Sequence, residues 1–272
     1  MKSDKIAELN TTTKVAWQEN WEAVDMKQVL EIFSYERVKQ QMDIFLRYLD
    51  KSSMILEGGC GLSPYVLTLR KAGYRVVGLD YNLSPLTKVK HFRPDTPLLC
   101  GDVERTPFKS GSFSAYLSIG VIEHFAQGPQ GAIREAYRIL RSGGIFLVQI
   151  PTNNIFKTIK SPVEALKRSS WLRKVFRKPA RVYYWEQYFK PKALVEMLEE
   201  GGFTVKERIP IDHAHTLCTF CAPLFRDKTK YDEANSLGLA LGRFFSRTLP
   251  WLSANEAIFV CQKRDPIDTS PR

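Results

Sequence analysis

The sequence contains no run of about 18 apolar residues, the length a helix needs to cross a bilayer. It contains no internal repeats and no low-complexity tract, which excludes solenoids, propellers and fibrous assemblies. Cysteine is scarce: there are five in 272 residues, at positions 60, 100, 218, 221 and 261. Their number is odd and their spacing is not that of a disulfide framework, so a reducing compartment is predicted. The opening residues, MKSDKIAELNTTTK, lack the apolar region of a secretory signal. A cytoplasmic location is expected, with peripheral contact at a membrane kept open. Acidic residues are nearly missing from one stretch. Between Ile155 and Val182 there are nine Lys/Arg and a single acid, Glu164, so this stretch carries +8 of the formal +11. The basic character belongs to one element and needs explaining there.

What is present is ordinary for a globular chain: 44% apolar and 25% charged residues. Residues 27–50 carry Val29, Leu30, Phe33, Val38, Met42, Phe45, Leu46 and Leu49, mostly three and four apart. That spacing predicts one helical stripe. Residues 1–50 are thus read as an N-terminal helical arm, in which Trp17 and Trp21 share a face. From Met54 the pattern changes. Short β-branched runs alternate with helical segments of 10–12 residues, predicting a parallel sheet with helices on both faces. Ser63 reads as an N-cap with Pro64 at the first helical position, and Ser84-Pro85 repeats that start. Gly143 and Gly144 read as the turn into strand Ile145–Ile150. Residues 51–265 form the main domain, interrupted by irregular insertions at about 152–185 and 213–255.

In such a sheet, ligands sit beyond the C-terminal ends of the strands. The first strand ends in Glu57-Gly58-Gly59-Cys60-Gly61. Glycines there allow a sharp turn and close backbone approach to a ligand. The next helix points its free N–H groups at the same spot. A dinucleotide fingerprint would place its third glycine at position 64, which is Pro64. Proline offers no N–H and fills the space, so a dinucleotide is disfavoured.

The segment ILEGGCG resembles the first motif of the class I, Rossmann-type, S-adenosylmethionine-dependent methyltransferases. CGDVERTPF, SIGVIEHF, EAYRILRSGGIFLVQIP and YWEQYFKPKALVEMLEEGGF resemble the family's later motifs, in order. The resemblance covers about residues 50–151 and 183–262. Ser63 and Ser114 depart from it, standing where the family often has glycine and aspartate. The resemblance implies a doubly wound, mostly parallel seven-stranded α/β sheet with helical insertions, and S-adenosyl-L-methionine as cofactor. By the same resemblance Glu57, Gly58, Gly59, Gly61, Asp80, Tyr81, Asp102, Val103 and Ile119 bind the cofactor. Asp80 would accept from the ribose hydroxyls, and Asp102 from the adenine amino group.

Methyl transfer from a sulfonium is an in-line displacement on an already activated carbon. The protein needs mainly to align the acceptor and exclude water. His124, just after the fourth strand, is the candidate base, although Glu-His at this place also serves structure. Tyr184, Trp185 and His213 are candidate substrate contacts, and Tyr183 and Tyr188 could join the aromatic pair in a lid. His213, His215, Cys218 and Cys221 are of types zinc accepts. They lack the usual separation between ligand pairs, and the plainer reading is a loop entering a helix with two partly buried thiols. No metal is assigned.

Trp171–Lys178 reads as a basic amphipathic helix. Leu237–Leu252 is apolar with two arginines. Two insertions rich in Trp, Phe and Leu suit an amphipathic acceptor better than RNA. The expected activity is methyl transfer to an oxygen or nitrogen of a small acceptor, with lipid-linked or acidic molecules as candidates. An anionic membrane surface stands as a candidate partner. Two alternatives remain: an RNA methyltransferase using residues 155–182, and a cofactor-binding scaffold without catalysis.

Overall fold

The computed structural model describes residues 2–160, 186–230 and 233–265. Among them a seven-stranded sheet runs in the order β3-β2-β1-β4-β5-β7-β6. The strands are β1 (Met54–Gly58), β2 (Arg75–Asp80), β3 (Leu98–Cys100), β4 (Phe113–Ile119), β5 (Leu140–Pro151), β6 (Phe203–Ile211) and β7 (Glu256–Lys263). β1 to β5 pair in parallel, and β7 runs antiparallel between β5 and β6. The doubly wound, mostly parallel sheet expected from the sequence is therefore present. The chain order reverses between β1 and β4, which makes their C-terminal ends the topological switch point.

The central strands have both faces covered and are mostly apolar, with Glu57, Ser114, Ser118 and Gln149 as buried polar exceptions. One face packs on α6 (Gln130–Ile139) and α7 (Pro191–Glu200), burying Ile133, Ala136, Leu194 and Leu198. The other packs on α3 (Glu36–Leu46) and α4 (Pro64–Lys71), burying Ile44, Phe45, Val66 and Leu69. Each Leu or Phe so buried contributes roughly 1.5–3 kcal/mol before entropy is counted.

The arm is helical but not continuous. α1 (Lys2–Ala23) is followed by α2 (Met26–Glu31), a 3₁₀ turn and then α3. The single stripe predicted over 27–50 breaks at Tyr35, whose backbone is extended while its ring is buried. Other starts also differ from expectation. Ser63 does not cap α4: it is left-handed, with φ 55°, and its side chain makes no cap bond. It holds the backbone shape that glycine adopts most readily. α5 (Leu83–Phe92) starts before Ser84-Pro85, because the Asn82 side chain accepts from Ser84 N–H at 3.0 Å. Gly143, with φ 65°, and Gly144 lie where the ladder with β4 skips from Leu140 to Ile145 and just before the pairing with β7 begins at Ile145. They bend the chain into Ile145–Ile150 as expected, although β5 as a whole starts earlier, at Leu140.

Beyond β6 the predicted irregular stretch is a cap of short helices: α8 (His213–Phe220), α9 (Ala222–Phe225), α10 (Ser236–Thr248) and α11 (Pro250–Ser253). The expected loop at His213 is thus the first turn of α8. Tyr183, Tyr184, Trp185 and the Trp171–Lys178 segment lie outside the described residues.

Candidate active site

β1 ends in a turn that bends back onto β2. Gly59 and Cys60 N–H donate to the Leu79 carbonyl at 2.7 and 3.0 Å. Gly61 N–H donates to Asp80 Oδ2 at 2.8 Å, and Asn82 N–H to Asp80 Oδ1 at 2.8 Å. Gly59 and Gly61 have φ of 72° and 48°. A β-carbon on Gly59 would lie 2.4 Å from Val121, and one on Gly61 would lie 2.8 Å from the Trp21 ring. Backbone conformation and space both require glycine here.

Glu57 is buried beneath this turn and accepts Val66 N–H at 3.0 Å, supplying the contact with α4 that Ser63 does not. Burial pushes its carboxyl up to about 8; the Val66 N–H opposes the rise and the Asp80 charge adds to it. Asp80 is likewise pushed up by burial, against the N–H groups of Asn82 and Gly61. Asp102 accepts Glu104 N–H at 2.8 Å after β3, beside buried Val103. Tyr81 is exposed next to Asp80, and Ile119 ends β4. Ser114 donates to the Met54 carbonyl at 3.1 Å, tying β4 to β1, a local structural role.

The second half of the site is an acid-rich group above β4, β5 and β7. Glu123 is 2% exposed, and its Oε2 meets no hydrogen-bond partner among the described residues. Burial pushes it well above the usual carboxylate range, with Glu186 and Glu256 adding to the rise. His124 Nε2 lies 3.9 Å from Glu123 Oε1. Glu256 accepts from Gln149, which accepts from Gln41, and Tyr65 donates to Gln41 at 2.8 Å. Burial and the Asp212 charge push Glu256 up to about 7, against Arg37, Gln149 and Lys157. Asp212 is left-handed, with φ 63°, and its Oδ2 lies 3.7 Å from Arg37. A non-glycine residue held in that conformation costs about 1–3 kcal/mol, strain that tends to collect at functional sites.

Several predicted residues converge. Glu57, Asp80, Asp102, Val103, Ile119 and His124 all border the C-terminal edge of β1 to β4. His213 sits further out, its Nδ1 2.8 Å from Ser253 Oγ, which ties α8 to α11. Cys218 is buried with Sγ 3.4 Å from the Phe225 carbonyl. Among the described residues no group of three or more His, Cys, Asp and Glu is arranged to hold a metal ion. Sequence reading missed Glu256, Gln41, Tyr65, Arg37 and Asp212. A signal existed for two of them: Gln149 is a polar residue inside a mostly apolar central strand and needs buried partners, which Gln41 and Glu256 supply.

Residues 56–148 match the family model described as "Methyltransferase domain". Over these residues the chain carries a methyltransferase domain. It is 26% identical over 159 residues to a "probable S-adenosylmethionine-dependent methyltransferase" of Mycolicibacterium smegmatis, covering 58% of this chain and 55% of that protein. It is 28% identical over 148 residues to the chloroplastic 2-methyl-6-phytyl-1,4-hydroquinone methyltransferase 2 of Oryza sativa, covering 54% of this chain and 37% of that one. Vertebrate tRNA methyltransferases match over shorter stretches, such as 108 residues at 34% identity in Xenopus tropicalis. The chain thus spans about half or less of the length of these relatives. In fold it is similar to a chain from the complex between the Haloferax volcanii Trm112 methyltransferase activator and a methyltransferase. The TM-score is 0.60 at 15% identity, covering 92% of this chain and 98% of that one.

Family and fold imply S-adenosyl-L-methionine as the cofactor of this domain. The residues present fit it: a glycine turn without β-carbons, a helix N-terminus beyond it, and buried Asp80 on the adjoining strand. When bound, the cofactor supplies a methyl group on a positively charged sulfur.

Proposed function

We propose that this protein transfers a methyl group from S-adenosylmethionine to a hydroxyl or amine of a small acceptor whose remaining part is lipid-linked or anionic. The observation that carries the reading is the adjacency of two features at the switch point. The Gly61–Asp80 turn suits the cofactor, and the buried Glu123–Glu256 group lies where an acceptor would approach it. In this reading Glu57, Gly58, Gly59, Gly61, Asp80, Tyr81, Asp102, Val103 and Ile119 line the cofactor cleft.

The acceptor's reacting end meets a group of buried carboxyls whose negative charge burial already disfavours, which argues against an anionic reacting end. His124, the candidate base, takes its proton as the methyl group transfers. Tyr184, Trp185 and His213 remain the proposed acceptor contacts.

The lipid-linked or anionic portion is argued from the cap. Residues 155–160 and 213–253 hold seven Lys/Arg and three acids. Residues 155–160 and 213–253 also carry nine of the fifteen exposed large apolar side chains among the described residues, Leu237, Phe244, Trp251 and Leu252 included. A surface both cationic and apolar suits an anionic, amphipathic partner such as a lipid headgroup layer. No helix among the described residues is long and apolar enough to cross a membrane, so the contact would be peripheral. The phytyl-hydroquinone methyltransferase among the relatives accords with this. The tRNA methyltransferases favour a second reading, in which the basic stretch holds RNA.

Incubation with methyl-labelled S-adenosylmethionine, separately with a lipid extract, a polar metabolite pool and total RNA, tests these readings. Label entering the lipid or metabolite fraction, absent with Asp80→Ala, supports the proposal. Label entering RNA alone replaces it with the second reading. Cofactor binding with no label in any fraction leaves the domain as a scaffold.

A further inference from the structure

The N-terminal arm reaches the cofactor cleft, and two of its indoles stand there. Trp17 and Trp21, one turn apart on α1, are stacked with ring centroids 5.0 Å apart and planes 18° apart. Trp21 lies against Gly61, so close that a β-carbon there would be 2.8 Å from its ring. Trp17 meets the His124 ring edge-on at 5.4 Å. The stacked pair therefore spans the gap between the exit of β1 and the residues after β4.

The arm is held in this place. Lys88 on α5 donates to the carbonyls of Trp21 at 3.2 Å, Glu22 at 3.4 Å, and Val24. A cation at the C-terminal end of α1 also meets the negative end of its dipole. Trp21 and Val24 pack against buried Met26, Leu62 and Val89.

We propose that Trp17 and Trp21 form the wall facing the sulfonium of bound S-adenosylmethionine, which makes the arm part of the cofactor site. This inference rests on the cofactor reading above. A sulfonium cannot donate or accept a hydrogen bond, and an indole face attracts a cation through its quadrupole. Such a wall distinguishes the charged donor from S-adenosylhomocysteine, whose sulfur is neutral. The pair acts on binding and positioning and takes no part in the chemistry.

Calorimetric titration with both ligands tests this. The proteins are the parent, Trp17→Leu, Trp17→Phe and Lys88→Met, each checked for an unchanged thermal melt of the sheet. In Trp17→Leu, S-adenosylmethionine affinity should fall between about 3-fold and about 30-fold, and S-adenosylhomocysteine affinity by less than about 2-fold. Trp17→Phe should recover part of the difference. Lys88→Met, which releases the arm without touching an indole, should shift in the direction of Trp17→Leu. Equal losses for the two ligands, or tighter binding of both on truncation, would overturn the proposal. If neither ligand binds the parent, the cofactor reading itself fails. With a Trp171→Phe, Trp185→Phe, Trp251→Phe background, S-adenosylmethionine should quench the remaining fluorescence more than S-adenosylhomocysteine does. Equal quenching by the two also overturns it.

Discussion

The Asp80 carboxylate, at the end of β2, accepts the Gly61 N–H from the exit of β1 at 2.8 Å, nineteen residues away in sequence. Its other oxygen holds Asn82 N–H, so one side chain fixes both turns that frame the cleft. Asp80→Ala leaves two N–H groups without their acceptor at a buried position. It should cost about 1–3 kcal/mol of stability and reduce cofactor affinity at least about tenfold. Scanning calorimetry and a binding titration on the same sample check both. Lost affinity with an unchanged melt would separate the ligand role from the turn.

The glycines allow an internal control. Gly59 and Gly73 both have positive φ, but a β-carbon at Gly59 meets Val121 at 2.4 Å while one at Gly73 meets nothing within 4 Å. Gly73→Ala should show backbone strain alone, about 1 kcal/mol. Gly59→Ala should add a packing cost of about 1–3 kcal/mol. Urea unfolding of the two variants should give clearly different midpoints, and equal midpoints would remove the packing argument.

Glu256 predicts a pH dependence. Its carboxyl is pushed up to about 7 by burial first and by Asp212 next, whereas an unfolded chain titrates near 4.3. Between these values the folded protein holds a proton that the unfolded chain has lost. The contribution of this group to stability is therefore full at low pH and fades as pH rises through about 7. Glu256→Gln cannot lose a proton. Its urea midpoint relative to the parent should rise steadily from pH 5 to pH 7.5, and a constant difference would show that Glu256 is ionised throughout.

The cap predicts a surface effect. Phe244 and Trp251 are exposed on α10 and α11, with Arg243 and Arg247 also exposed on α10. Replacing Phe244 and Trp251 by Glu should abolish co-sedimentation with vesicles containing anionic lipid while leaving the melt unchanged. Binding of the parent should weaken as salt rises. Equal sedimentation of parent and variant would remove the membrane argument and leave the acceptor chemistry untouched.

The sheet and the cofactor turn were legible in the sequence because their signals are local. Alternating apolar runs marked the strands, and Glu57 to Gly61 marked the switch point. Helix starts were less legible, since Asn82 and not Ser84 caps α5, and Ser63 makes no side-chain cap bond to α4. The Trp17–Trp21 pair could be read from its spacing, yet its contact with His124 is tertiary and carries no local pattern. The same holds for Glu256, which Gln149 and Gln41 join to α3 through the sheet. Tyr184 and Trp185 fall outside the described residues, so their proposed role stays with the sequence.

The most direct test of the central claim is a calorimetric titration of the parent and Asp80→Ala with S-adenosylmethionine and S-adenosylhomocysteine. The account predicts one saturable site for each ligand on the parent and a loss of at least about tenfold on Asp80→Ala. No binding to the parent at millimolar ligand, or identical binding by Asp80→Ala, would contradict it.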